Sequence, residues 1–329
     1  MPALPLVSII IPCFNGERWL KQAVESAVNQ QGITCEVFIV DDCSTDNSST
    51  LAKSLASKNV QVIQQPNNQG ASAARNEGLN RAQGEFIQYL DADDFLSLDK
   101  IEAQLKTLSD SDGALLVTCP IIFFKDGSDP KTGQYDASLP HAGDHDDPLD
   151  FLLRLYGVDA PGSMIQTSQW LIPRDVASRA GPWDTALTLD DDGEYFARIV
   201  LASQGVRYSP EGRVYYRKHE QQNSLSGSWR HKHSFMASGL LAMDKKLKHL
   251  KAHSPGDSRI DRALTQSYLE WGLTAYPRYP DLSKRALSTA EKLNKAPLRP
   301  KLSTHKAQTL QRFLGWRLAR RLQYWYSNV

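Results

Sequence analysis

Asp91, Ala92 and Asp93, with Asp94 behind them, stand directly after the strand-like run at residues 85–90. That run is apolar enough to be buried, yet it ends by delivering three carboxylates to one point. Like charges held so close repel, and a fold tolerates them only where something cationic compensates them. A hard divalent cation is the natural partner, and Mg²⁺ is commonly held by one or two carboxylates together with substrate phosphates. The grouping therefore predicts a metal–diphosphate site at the edge of an α/β sheet. The plainer alternative is an acidic turn in which Asp94 or Ser97 caps a helix over residues 98–108.

A second acidic group, Asp190, Asp191 and Asp192 with Glu194, opens a helical pattern with Tyr195, Phe196, Ile199 and Val200 on its apolar side. The helix macrodipole favours acids at that end. Three in succession exceed what capping needs.

The elements that must position these groups can be read from periodicity. Residues 7–11 form a β-branched run stopped by Pro12, and Asn15-Gly16 then turns the chain into a helix over 18–30. A strand over 36–40 ends in Asp41-Asp42, and a helix over 44–57 follows with Ser44, Thr45 and Asp46 as capping candidates. Next come a strand at 60–64, a loop at 67–70, a helix at 71–81 and the strand at 85–90. Alternating strands and helices imply a doubly wound, mainly parallel sheet whose ligands bind beyond the C-terminal strand ends. Three such ends carry Pro12 to Asn15, Asp41-Asp42 and Asp91 to Asp93, so they converge on one site. Further on, 169–172 reads as a strand, and 206–209 with 213–217 as closing strands that deliver His219. Residues 126–147, rich in Gly, Pro and Asp, are expected to form a mobile excursion.

Composition sets the frame. With 41% hydrophobic and 23% charged residues, the 329-residue chain has the make-up of a soluble globular domain plus an appendage. No apolar stretch approaches the roughly 20 residues of a membrane span, and no secretory leader is expected at the start. Cys13, Cys35, Cys43 and Cys119 show neither CxxC spacing nor a histidine at zinc-ligand spacing, so they read as reduced thiols of a cytoplasmic protein. The net charge of +1 conceals an asymmetry, because residues 229–329 hold 20 Lys and Arg against 6 Asp and Glu. The expected division is thus 1–228 and a basic, all-α extension at 229–329, with the boundary in the polar stretch 221–228. Helical patterns cover 235–250, 260–274, 282–293 and 307–326. The last places Leu310, Leu314, Leu318, Leu322 and Tyr326 at steps of four beside Phe313 and Trp325, with Arg312, Arg317, Arg320 and Arg321 between them. Such a helix fits the cytoplasmic face of an anionic membrane, the acidic surface of residues 1–228, or a homodimer interface. No nucleic-acid-binding motif accompanies the charge, so no nucleic-acid partner is expected.

Residues 5 to about 226 resemble a family 2 glycosyltransferase of the GT-A fold, through PLVSIIIPCFNGERWL, VFIVDDCSTDNS, NNQGASAARNEGL, GEFIQYLDADD and LDDDGEYFARI in that order. The resemblance implies a doubly wound GT-A sheet and places Pro12, Phe14 and Asn15 at a nucleotide pocket, with Phe14 packed on the base. Asp42 matches the acid that hydrogen-bonds the base, with Asp41 beside it. A carboxylate accepts the N3–H of uracil, a donor that cytosine lacks, which favours a UDP-sugar donor. Arg75 falls near base and phosphates, and Asp91 and Ala92 at the ribose. Asp93, Asp91 and His219 would hold the divalent metal, Mn²⁺ or Mg²⁺. Aligning Glu194 and Arg198 with the family's acid–arginine pair makes Asp192 the counterpart of the catalytic base and Asp191 of its neighbour. Asp stands here for the family's Glu, and Asp190 leaves the register open.

The implied reaction is inverting transfer of a sugar from a nucleotide-sugar to the hydroxyl of a glycan or lipid-linked acceptor, as in cell-envelope polysaccharide synthesis. The alternative is a non-catalytic nucleotide-sugar binder or scaffold with the same fold. A sugar-nucleotide pyrophosphorylase or a dehydrogenase would need a glycine-rich phosphate loop after the first strand, where this chain has Pro-Cys-Phe-Asn-Gly.

Overall fold

The computed structural model describes residues 4–108, 114–135, 142–158, 162–219, 232–294, 302 and 304–327. The boundary expected at 221–228, and the stretch 136–141 of the expected excursion, lie outside them.

The β-branched run becomes β1 (Leu6–Cys13), followed by α1 (Leu20–Val28), β2 (Thr34–Asp41), α2 (Ser48–Ser54), β3 (Val60–Gln64), α3 (Ala71–Arg81) and β4 (Phe86–Tyr89). After β5 (Phe95–Leu96) and α4 (Lys100–Leu108) come β6 (Leu115–Thr118), β7 (Ile121–Lys125), β8 (Gln134–Tyr135) and α5 (Pro148–Leu155). Then follow β9 (Ile172–Pro173), α6 (Arg174–Ala180), α7 (Asp191–Ala202), β10 (Gly205–Tyr208) and β11 (Val214–Lys218). Four long helices close the chain: α8 (His233–His253), α9 (Ser258–Ala275), α10 (Pro280–Asn294) and α11 (His305–Ser327).

The main sheet has the order β3-β2-β1-β4-β9, parallel except for β9 at the edge. In-register pairing sets Cys13 opposite Asp41 and Asp41 opposite Gln64, so the strand ends line up. Two smaller sheets, β10-β6 and β5-β11-β7-β8, continue the architecture, and Leu171 bridges to Val117 of β6. Residues 169–172 are not the continuous strand expected. Thr167–Gln169 is a 3₁₀ turn, and the Gln169 side chain bonds the Cys119 carbonyl and the Gln166 N–H, so that the strand itself is Ile172–Pro173, preceded by the Leu171 bridge. In the excursion, residues 126–135 contain a 3₁₀ turn and β8, which pairs with β7.

Side chains alternate across β1. Val7, Ile9 and Ile11 pack with α1 on one face, while Ile10 joins Phe38, Ile87 and Tyr89 on the other. Gly78 of α3 lies on Ile10 so closely that a Cβ there would fall 2.5 Å from Ile10 Cγ2. That approach lays α3 directly across the sheet and fixes the height of Arg75, three residues earlier.

The basic extension docks rather than dangling. Met236, Leu240 and Met243 of α8 join Tyr195 and Phe196 of α7 in one core. Ion pairs reinforce the joint: Lys245–Asp184 at 2.5 Å, Lys246–Asp190 at 2.6 Å and His249–Glu194 at 2.9 Å. Of the three readings of the basic tail, packing on the acidic front surface holds for α8. Replacing Lys246 by Met leaves Asp190 uncompensated beside Asp191 and Asp192. The expected loss of stability is about 3 kcal/mol, the low end for a buried pair because Asp190 keeps contact with water. Denaturant unfolding measures it, and a change under about 0.5 kcal/mol, within the range of an ordinary surface substitution, would mean that solvent takes over the Asp190 charge.

Candidate active site

The loops after β1 and β2 are knitted together by short polar side chains. Asn15 takes a left-handed backbone (φ 52°), tolerable for Asn. Its Oδ1 accepts from the Thr45 N–H at 2.8 Å, and its own N–H donates to Ser44 Oγ at 3.0 Å. The Gly16 N–H donates to Ser48 Oγ at 2.8 Å, and Glu17 exchanges bonds with Asp46 and Asn47. Ser44 and Thr45, expected to cap α2, therefore tie two strand ends into one rim. The N-cap of α2 is Asn47. On that rim Phe14 is 51% exposed, a ring left uncovered beside half-buried Pro12.

Asp41 and Asp42 differ sharply. Asp42 is buried and accepts the Gln69 and Gly70 N–H groups at 2.7 and 2.8 Å, one on each carboxylate oxygen. It thereby pins the loop that precedes α3. Each oxygen keeps a second lone pair. Asp41 is fully buried, and neither of its oxygens has a hydrogen-bond partner among the described residues.

Arg75 projects from α3 between the two acidic groups. One guanidinium nitrogen lies 2.9 Å from Asp91 Oδ1 and the other 3.3 Å from Asp191 Oδ2. Its face covers the Trp183 ring at 4.5 Å, and Ser72, one turn earlier, donates to Asp191 at 2.8 Å. Burial works against the charged guanidinium, but Asp91 and Asp191 outweigh it and raise its pKa. The two clusters, about one hundred residues apart in sequence, thus face each other. Tyr216 records the same convergence: burial raises its phenol, and the charges of Asp94, Asp91, Asp93 and Asp192 all add to that rise.

Each carboxylate of the first cluster meets a different partner. Asp91 has Arg75, yet burial and then Asp93 and Asp191 still raise its pKa. Asp93 Oδ2 lies 2.6 Å from His219 Nε2 at the end of β11. Asp94 is buried, accepts the Arg217 N–H at 2.9 Å, and is pushed well up by burial and by Asp93 and Asp91. Part of the compensation expected of a cation alone is supplied by Arg75, while His219 gives Asp93 a hydrogen-bond partner. Ala92 sits between the two acids, and a Cβ on Gly16 would meet its methyl at 3.5 Å.

In the second cluster three of the four acids are engaged by cations. Asp190, in a left-handed conformation (φ 61°), pairs with Lys246, and Asp191 with Arg75. Glu194 receives both Arg198 and His249, whose bonds overcome burial and hold its pKa at about 2. Among the described residues, Asp192 accepts only the Gly193 N–H, at 2.8 Å. Burial, then Asp191 and Asp190, push its carboxyl up to about 7. Of the three acids at 190–192, Asp192 is thus the one without a cationic partner among the described residues.

Several participants escaped sequence reading. Arg217 donates to the Asp93 carbonyl, Asp126 and Gln22, while Trp19 lies with its ring 4.5 Å from that of His219 and bonds Asp126 at 3.3 Å. Arg217 precedes His219 by two on a strand and Ser72 precedes Arg75 by three on a helix, so each pair shares a face. That periodicity was available as a signal. Nothing local marks Lys246.

As for the metal, Asp93 and His219 converge with Asp91 alongside, and no group of three His, Cys, Asp or Glu arranged to hold an ion occurs among the described residues. A donor set of that size fits a hard cation whose remaining oxygens come from a diphosphate, not one held in a protein cage.

Comparison with known proteins agrees with this geometry. A stretch of 104 residues is 44% identical to an uncharacterized glycosyltransferase of Haemophilus influenzae, covering 31% of this chain and 42% of that protein. Over 111 residues the chain is 34% identical to the succinoglycan biosynthesis protein ExoO of Rhizobium meliloti, covering 34% and 32% of the two chains. The matches therefore span less than half of these relatives' own lengths. Among solved structures, S. aureus TarS 1-349 in complex with UDP-GlcNAc superposes with a TM-score of 0.59 at 16% identity, over 89% of this chain and 93% of that one. This is a likeness of fold, and it bears out the expected GT-A architecture. The profile of Glycosyl transferase family 2 matches residues 8–177, more than half of the chain, from β1 through the Arg75 and Asp91–Asp93 segments into α6. The protein belongs to glycosyl transferase family 2.

Proposed function

We propose that the protein is an inverting, metal-dependent glycosyltransferase that moves a sugar from a UDP-sugar to an acceptor hydroxyl in glycan or cell-envelope polysaccharide synthesis. The observation that carries this reading is Arg75, which joins Asp91 to Asp191 and so links the segment of Asp93 to that of Asp192. Complexes of S. aureus TarS with UDP and with UDP-GlcNAc support a uridine diphosphate donor, and the succinoglycan biosynthesis protein supports a polysaccharide setting.

In this reading the uracil stacks on the exposed Phe14 ring beside Pro12 and Asn15, and its N3–H is accepted at the Asp41–Asp42 step, where Asp42 keeps free lone pairs. Asp93 and His219, with Asp91 alongside, would hold the divalent cation, and its chemistry when bound would be to supply positive charge to the diphosphate. Arg75 adds a fixed positive charge between that end and the acceptor side. Asp192 accepts the proton of the acceptor hydroxyl as its oxygen bonds to the anomeric carbon and the bond to the diphosphate breaks. One base and no enzyme nucleophile give inversion at that carbon.

Removing the proton acceptor with Asp192→Asn should lower kcat by about 10²–10⁴-fold while UDP affinity stays nearly constant. Retained turnover with lost UDP binding would overturn the assignment. Transfer undetectable in the wild type despite tight UDP binding would instead leave the non-catalytic binder. The pKa of about 7 at Asp192 has a kinetic counterpart, since only its ionised form takes a proton. The free-enzyme profile, kcat/KM, should therefore fall as pH drops below about 7 and level off above it. An acid limb near pH 4, where an ordinary carboxylate titrates, would remove Asp192 from the role. At the other end, Asp93→Ala should weaken Mn²⁺-dependent UDP binding in calorimetry, and wild-type activity indifferent to EDTA would count against the cation.

A further inference from the structure

The last helix, α11, is interrupted at Gly315 (φ 73°, ψ 160°), and its contacts among the described residues gather around Leu273 and Tyr276. Ala319 is buried against Leu273, the Trp316 ring meets that of Tyr276 at 5.3 Å, and Arg320 Nε donates to the Leu273 carbonyl at 3.1 Å. The remaining surface is apolar and open. Phe313 is 83% exposed, Tyr326 81% and Trp325 69%, with Leu310, Leu314 and Leu318 also exposed. Of the eleven exposed large hydrophobic side chains among the described residues, six lie on this one helix. Such a concentration marks an interaction surface, whereas singly scattered ones need no explanation.

Charge narrows the choice of partner. Residues 292–329 contain nine Lys and Arg and no Asp or Glu. Whereas the cations of α8 are matched by Asp184, Asp190 and Glu194, exposed Arg312, Arg317 and Arg321 make no ion pair among the described residues. A two-fold contact between copies of this helix would bring an acid-free basic segment against itself, which like charge opposes. An anionic bilayer surface supplies both missing complements: headgroup charge for the arginines, and an interfacial layer for Trp and Tyr, whose rings are apolar with one polar tip. No helix among the described residues is long and apolar enough to cross a membrane, so the contact is one of lying on the surface.

We propose that α11 is a peripheral anchor that lays Phe313, Trp325 and Tyr326 into the interface of an anionic lipid membrane. The contact is independent of the transfer reaction. The test is co-sedimentation of the full chain with vesicles of phosphatidylcholine alone and of phosphatidylcholine with phosphatidylglycerol. Binding to the anionic vesicles and little to the neutral ones is expected. The triple change Arg312→Gln, Arg317→Gln, Arg321→Gln should reduce anionic-vesicle partitioning by about 10²-fold, at roughly five-fold per lost charge. Phe313→Ser, Trp325→Ser, Tyr326→Ser should abolish it, and UDP binding unchanged in both variants confirms that they fold. A wild type that ignores anionic vesicles, or variants that bind as well as it does, overturns the proposal. Light scattering that shows a dimer dispersed by the serine variant overturns it equally and assigns the face to a second copy.

Discussion

The guanidinium of Arg75 is the contact on which the arrangement of the site rests. Two acidic segments, one at the end of β4 and one at the start of α7, would repel if brought together bare. A single buried cation between Asp91 and Asp191 turns that repulsion into a bridge. It works because α3 is laid hard on β1, with no side chain at Gly78 to lift it, and because the Trp183 ring covers the guanidinium face. Arginine suits this place better than lysine, since a planar fork can serve two carboxylates while stacking on an indole. Removing one partner from such a buried set leaves the others uncompensated, so the cluster behaves as a unit.

Much of this was legible in the residues. The β-branched runs and their stops gave the parallel strands, and the alternation with helices placed three acidic or polar strand ends on one rim. The helix over 71–81 was expected, and the helix after the 190–192 acids followed from Tyr195, Phe196, Ile199 and Val200 on one apolar side. Less legible was what each carboxylate would meet. Sequence shows acids accumulating at a strand end and asks for a cation; it does not say that Asp91 finds an arginine, Asp93 a histidine, and Asp94 a backbone N–H in a buried setting.

The misread segments have a common physical origin. Ser44 and Thr45 look like helix caps, but the Ser44 hydroxyl accepts the Asn15 N–H of a different loop, and the Thr45 N–H and hydroxyl both go to the Asn15 side chain. Residues 169–172 look like a strand because they are apolar at the end, but Gln169 turns inward and spends its amide on Cys119 and Gln166. In both cases local preference was read correctly and a partner distant in sequence decided where it was spent. The three-acid run at 190–192 shows the reverse. Its three acids are alike in one dimension, and the fold sets them apart, with Lys246 on Asp190 and Arg75 on Asp191.

The left-handed residue that opens α7 carries one more implication. Asp190 curls over Gly193 so tightly that a Cβ there would fall 2.0 Å from its Oδ1, and Lys246 closes over the same spot from a helix that begins some forty residues later. The start of α7 is therefore shaped jointly by a missing side chain and a borrowed one. A chain shortened before α8 would keep every strand of the sheet, yet lose the lid that holds this corner shut. Helix α8 is better regarded as part of the corner that holds the second acidic cluster than as a separable attachment.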